Sequence, residues 1–138
     1  MAVTPVFLVD KSALARLRYP AVSDRLGPLL LDGLVATCPI IDLEVLYSAR
    51  SLTDYESILA ERRAMPSYPI DERATDRAID VQHELARRGH HRLPLPDLLI
   101  AAVAETNALA VMHYDADYDR IAEVTRQAVE WVVPRGSI

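Results

Sequence analysis

The sequence predicts an α/β domain: a central, mostly parallel sheet covered by helices on both faces. Three observations predict it. Thr4 to Val9 is apolar on both faces and ends in Asp10, as a strand does when helices cover a parallel sheet. Leu98 to Ala104 is apolar all the way round, so the helix that Pro96 and Asp97 open is buried rather than laid on the surface. Leu109 to Tyr114 then reads as a short buried strand that stops at Asp115, Asp117 and Asp119. Acids gathered where strands end lie on the sheet edge at which open α/β folds bind ligands.

In chain order, a helix begins at Ser12 or Ala13, Pro20 interrupts it, and a second helix runs from Ala21 to Asp32. Gly33 stops that helix in the usual C-terminal position. Leu34 to Cys38 is a short strand, and Pro39 starts a helix reaching Ser51, since proline suits a first turn that needs no N–H. Thr53 to Ala64 is another helix, with Thr53 as its N-cap. Ser67 to Ile70 makes a short strand, and Asp71 caps a long helix to Arg88. Gly89-His90-His91-Arg92 is a turn into the buried helix, which Asn107 and Ala108 end. A brief helix to Thr125 follows the aspartates, and Val129 to Val133 is the last strand. No linker, repeat or low-complexity tract divides residues 1–138, so one domain is expected.

Composition narrows the class. Half the residues are hydrophobic and a quarter charged, a soluble globular profile, and no apolar run approaches the ~20 residues of a membrane span. The N-terminus lacks a basic segment followed by an apolar one, which speaks against a secretory signal and for the cytoplasm. The single cysteine, Cys38, excludes an intrachain disulfide and a cysteine-based zinc site, and reads as a core residue. A net charge of −5 argues against holding nucleic acid by bulk electrostatics and leaves a local basic rim as the alternative. Fourteen of the fifteen basic residues are Arg; Lys11 is the exception.

Four carboxylates stand out: Asp10 closing the first strand, Glu44 in the helix from Pro39, Asp97 opening the buried helix, and Asp115 closing the next strand. Taken singly, each has a structural explanation. Asp10 would cap a helix, Asp97 would complement a helix dipole, Asp115 to Asp119 would form a polar turn, and Glu44 would share a solvent stripe with Asp42 and Ser48. Crowded together without cations they would repel one another and raise each other's pKa values. A hard divalent cation removes that conflict, and Mg²⁺ or Mn²⁺ prefers oxygen ligands and binds phosphate. Such a site lowers the pKa of an attacking water and stabilises a leaving oxygen. The residues therefore point to a metal-dependent nuclease or phosphatase.

Four segments carry a resemblance to a known family: Val6 to Leu14, Asp42 to Arg50, Pro96 to Ala102, and His113 to Ala122. Together, in this order and at this separation, they resemble a PIN domain, and more closely a VapC-type ribonuclease toxin of bacterial toxin–antitoxin modules. The resemblance implies a PIN-like three-layer α/β/α sandwich. It places Asp10, Glu44, Asp97 and Asp115 on the family's four acidic positions, Asp117 on an additional acid, and Ser12 on a small polar position near the metal. It further implies a Mg²⁺- or Mn²⁺-dependent endoribonuclease that cuts structured RNA such as tRNA or rRNA by metal-activated water. A homodimer silenced by a cognate antitoxin is implied as well.

Candidate RNA contacts are Lys11, Ser12, Arg16, Arg18, Arg87, Arg88, His91 and Arg92, with Arg87 to Arg92 close before Asp97; the competing explanation is a solvated helix end. His113 either points into the cleft or is a hydrogen-bonded core residue, and Tyr114, Tyr118 and Trp131 either stack on bases or pack the core. Two other enzyme classes fit worse. A haloacid-dehalogenase-type phosphatase wants an acid where Ser12 stands, and a phosphoacceptor receiver wants a late Lys, whereas the only Lys is Lys11. A non-catalytic partner-binding module and a metal-dependent DNA nuclease remain as alternatives that assay, rather than sequence, separates.

Overall fold

Parallel strands require long crossovers, and this chain supplies helices for them. The computed structural model describes residues 3–138. In order, the elements are β1 (Phe7–Val9), α1 (Lys11–Leu14), α2 (Pro20–Leu31), β2 (Val35–Ala36), α3 (Pro39–Tyr47), α4 (Leu52–Arg63), α5 (Glu72–Arg87), α6 (Leu95–Thr106), β3 (Ala110–His113), α7 (Asp117–Thr125) and β4 (Val129–Trp131). The strands form one parallel sheet in the order β2-β1-β3-β4. No helix among the described residues is long and apolar enough to cross a membrane.

Alternation along the strands builds two cores. Leu8, Ala36 and Val111 join one apolar cluster with residues of α3, α5, α6 and α7. Their neighbours Val9, Val35 and Met112 join the other, with Ala13 of α1 and Val22 and Leu26 of α2. Successive side chains leave a strand on opposite faces, so this split is the three-layer α/β/α arrangement that the sequence predicts. Helix α6 is buried as expected: Ile100 to Ala104 are at most 2% exposed, and the helix lies against α3, α5, α7 and the sheet.

The topology reverses direction between β1 and β3. From β1 the chain crosses to β2 on one side; from β2 it returns past β1 to β3 on the other. The carboxyl ends of β1 and β3 therefore meet at the switch point, where such sheets open a crevice.

Several boundaries differ from the sequence expectation. Ser67 to Ile70 is not a strand; Ser67 makes a single bridge with Thr37, because Pro66 and Pro69 supply no N–H for a ladder. The N-cap of α4 is Ser51 rather than Thr53: the Ser51 hydroxyl accepts from the Asp54 N–H at 3.1 Å, and the Asp54 carboxylate accepts from the Arg50 N–H at 3.0 Å. These two bonds fix the turn that starts α4, while α3 has already ended at Tyr47. Pro20 opens α2 instead of interrupting a helix. Gly33 follows α2 at φ +72°, the left-handed conformation that a stop after a helix uses.

One buried polar group ties α3 to α4. Arg62, 7% exposed, donates from Nε to Asp42 Oδ1 at 2.9 Å and from Nη2 to Thr37 Oγ1 at 2.7 Å; the Thr37 hydroxyl donates to the same Asp42 oxygen at 2.7 Å. Removing one partner of such a group strands the others. Arg62→Ala should therefore lower stability by about 3 kcal/mol in urea unfolding, and an unchanged midpoint would refute the network's role.

Candidate active site

The acids reach the switch point on rigid elements. Asp10 follows β1, and its backbone N–H donates to Met112 O at 2.9 Å, carrying the β1–β3 pairing one residue further. Its Oδ2 accepts from the Ser12 N–H at 3.1 Å, so Asp10 also caps α1. The capping role and the site role coexist in one side chain. Asp97 sits in the first turn of α6 and is 7% exposed. Its Oδ1 accepts from the Tyr118 hydroxyl at 3.4 Å, while its Oδ2 is buried without a hydrogen-bond partner. Asp115 follows β3, and its Oδ1 accepts from the Asp117 N–H at 2.9 Å, turning the chain into α7.

One carboxylate oxygen each from Asp97, Asp115 and Asp117 lies within 4.8 Å of the others. Asp10 and Glu44 are not members of this trio, but their charges act on Asp97. Burial first, and then the negative charges of Asp10, Asp115, Asp117 and Glu44, together raise the Asp97 pKa to about 7. Burial likewise raises Glu44, with Asp10 adding and Lys11 opposing, and raises Asp117, with Asp115 adding and Arg120 opposing. An orphaned carboxylate oxygen and mutually repelling acids are costly unless a cation joins them. The donors are all oxygen, and the residues fit a hard divalent ion such as Mg²⁺ or Mn²⁺.

The remaining candidates divide. The Ser12 hydroxyl accepts from the Tyr114 N–H at 2.9 Å, which locks α1 to the end of β3 beside the acids. Arg87 pairs with Glu84 within α5 at 3.3 Å, the solvated helix-end arrangement. Arg88, His91 and Arg92 are exposed, and His91 and Arg92 line an open pocket of about 400 Å³ with Arg120 of α7. His113 is a core residue: wholly buried, its Nδ1 accepts from the Asp115 N–H at 3.1 Å, and its ring lies 5.0 Å from those of Tyr118 and Trp131. Burial lowers its pKa, with Asp119, Asp10 and Asp115 opposing, which favours the neutral ring. Tyr118 is fully buried, and the Trp131 indole N–H donates to Asp119 Oδ2 at 3.0 Å, so both serve packing and anchoring. Burial pushes the Cys38 thiol up to about 11, which leaves it inert.

Sequence reasoning missed two contacts. Tyr118, weighed as a stacking or core aromatic, is the donor to Asp97, and Arg120 is the cation that offsets Asp117. Their positions one and three residues after Asp117 place them on the first turn of the helix leaving the acids, the signal that could have found them.

The PIN domain family matches residues 7–124. The chain belongs to the PIN-domain family. Within it the chain is similar to ribonuclease VapC21 of Mycobacterium tuberculosis, 47% identical over 136 residues that cover 97% of this chain and 99% of the relative. Ribonuclease VapC51 of the same organism is 42% identical, covering 96% of each. The chain therefore falls among the VapC ribonucleases. The PIN fold is shared with VapBC2 from Rickettsia felis bound to a promoter DNA fragment (TM-score 0.74, 14% identity, 91% of this chain and 97% of that one). It is also shared with DNA-bound VapBC from Salmonella typhimurium (TM-score 0.72, 20% identity, 94% and 99%).

The elevated Asp97 pKa has a sign. Folded Asp97 binds its proton up to about pH 7, whereas an ordinary Asp releases it near 3.8. Between those values the native PIN domain holds more protons than the unfolded chain, so metal-free stability falls as pH rises through that window. Melting of the metal-free protein should show this decline, and Asp97→Asn should flatten it. At neutral pH, free Mn²⁺ about a hundredfold above its Kd should restore about 2.7 kcal/mol to the wild type. A wild type whose melting ignores both pH and Mn²⁺ would overturn the assignment.

Proposed function

We propose that this PIN domain, a single unit over residues 1–138, is a Mg²⁺- or Mn²⁺-dependent endoribonuclease that cuts structured RNA, tRNA or rRNA, as the toxin of a toxin–antitoxin pair. The observation that carries the reading is the Asp97–Asp115–Asp117 oxygen cluster with its buried, unpartnered Asp97 Oδ2 at the switch point of the sheet. The names of the relatives, ribonucleases VapC21 and VapC51, support RNA as the substrate. The VapBC complexes that share the fold support a cognate antitoxin as partner. A homodimer working in the cytoplasm completes the proposal.

Asp10, Glu44, Asp97 and Asp115 would hold the ion or ions, with Asp117 assisting. When bound, the ion supplies Lewis acidity at the phosphate and makes water nucleophilic at neutral pH. The protein's own groups set the stage for this. Tyr118 orients Asp97 through its hydroxyl, and the surrounding burial keeps that carboxylate from being hydrated instead. His113 fixes the Asp115 backbone, and Ser12 fixes the spacing between the turns that carry Asp10 and Asp115. The inert Cys38 offers no thiolate, consistent with direct hydrolysis rather than a covalent enzyme intermediate.

The test is cleavage of total cellular RNA by purified protein freed of antitoxin, with Mg²⁺ or Mn²⁺ and with EDTA, and with matched single-stranded DNA as control. Discrete RNA fragments that require metal are expected. Asp10→Asn and Asp97→Asn should each cost more than the roughly 10–100-fold typical of losing an outer-shell partner, and weaken Mn²⁺ binding without unfolding the chain. A variant that cuts at the wild-type rate would remove that residue from the site. Metal-dependent cutting of DNA alone would replace RNA as the substrate.

A further inference from the structure

The acids that cut a phosphodiester also repel it, so a chain of net charge −5 needs a separate place to hold the polyanion. Five arginines are already committed to carboxylates: Arg25, Arg62, Arg73, Arg77 and Arg87. Lys11, Arg18 and Arg50 have no such partner among the described residues, yet all three line one cleft of about 470 Å³. Its walls are α1 with the turn after it and the C-terminal end of α3; Leu14 and Val45 contribute apolar surface and Ser48 a hydroxyl. The volume falls within the range of pockets that hold small-molecule-sized groups.

The cleft adjoins the acids. Lys11 follows Asp10 directly and its charge acts on Glu44, while Val45 in the cleft wall follows Glu44. Arg18 is already oriented: its guanidinium lies 4.8 Å from the Tyr19 ring centroid and donates to the Tyr19 hydroxyl at 3.3 Å. Three cationic residues lining one cleft favour an anion there, and guanidinium groups match phosphate oxygens with paired donors.

We propose that this cleft is the backbone track of the RNA substrate, with Lys11, Arg18 and Arg50 gripping phosphates that flank the one cleaved at the acids. The proposal rests on the ribonuclease reading above. It places the main phosphate grip on the α1–α3 side of the site rather than on the Arg87–Arg92 turn, where Arg87 is spent on Glu84. Contacts of this kind position RNA without reading its sequence.

The test is binding of fluorescein-labelled oligouridylate across a salt series, with Ca²⁺ in place of Mg²⁺, alongside cleavage of total RNA. Each lost phosphate contact on a single strand removes about 0.7 from the log–log salt slope, so Arg18→Gln/Arg50→Gln should lose about 1.4 and bind about tenfold or more weakly. Its melting temperature and Mn²⁺ affinity should match wild type, and Arg18→Lys/Arg50→Lys should recover most of the slope. Arg88→Gln/Arg92→Gln should stay near wild type. A wild type that cuts RNA with metal while Arg18→Gln/Arg50→Gln keeps full slope and affinity overturns the track and leaves the nuclease reading standing. Loss of antitoxin binding alone in that variant assigns the cleft to an acidic protein segment and also overturns it. A folded wild type that neither binds nor cuts RNA overturns both readings.

Discussion

The pairing of β1 with β3 is the constraint on which the site depends. These strands are distant in sequence, yet their parallel register sets Val9 beside Met112, and the Asp10 N–H to Met112 O bond extends it to the first acid. From that bond the rest follows by short steps. Asp10 caps α1, Ser12 in α1 takes the Tyr114 N–H, and Asp115 follows Tyr114. A one-residue slip would send each strand side chain to the opposite core, so the two cores guard the register and with it the spacing of the acids.

Against this rigid frame the site works at the protein's expense. Helix α6 is buried along most of its length, and it delivers a carboxylate into that apolar setting. Tyr118 satisfies one oxygen of Asp97 and leaves the other bare. A scaffold selected only for stability would place an amide or an apolar group there, because an uncompensated buried charge raises the energy of the folded state. Compare Asp42, whose charge meets Arg62 and Thr37 in a closed network. The same residue type is satisfied where it holds helices together and left wanting where a cation is to bind.

Much of this was legible in the sequence, and the parts that were not share a cause. The strands and the buried helix announce themselves because apolar period is a local property, and acids at strand ends follow once those ends are located. Ser67 to Ile70 misled because Tyr68 and Ile70 alternate as a strand does, while Pro66 and Pro69 forbid the ladder. Ser51 lost to Thr53 as a cap because only the Asp54 interaction distinguishes them. The Tyr118–Asp97 contact and the gathering of Lys11, Arg18 and Arg50 join separate elements, and no local pattern encodes them.

Net charge alone does not locate a basic surface. Its −5 describes the average surface, but charges act through their neighbours. Arg62 and Arg77 face carboxylates across helix pairs and present little net field; they are part of the scaffold. Arg16 is likewise occupied, donating to Ser12 O at 2.7 Å and lying 4.4 Å from the Tyr114 ring centroid, where it braces the turn that carries the acids. Five of the fifteen basic residues pair with carboxylates, and of the ten others three share the cleft beside Asp10 and Glu44. An acidic protein can therefore carry a local basic surface next to an acidic centre, because the position of its cations rather than their number sets the field there.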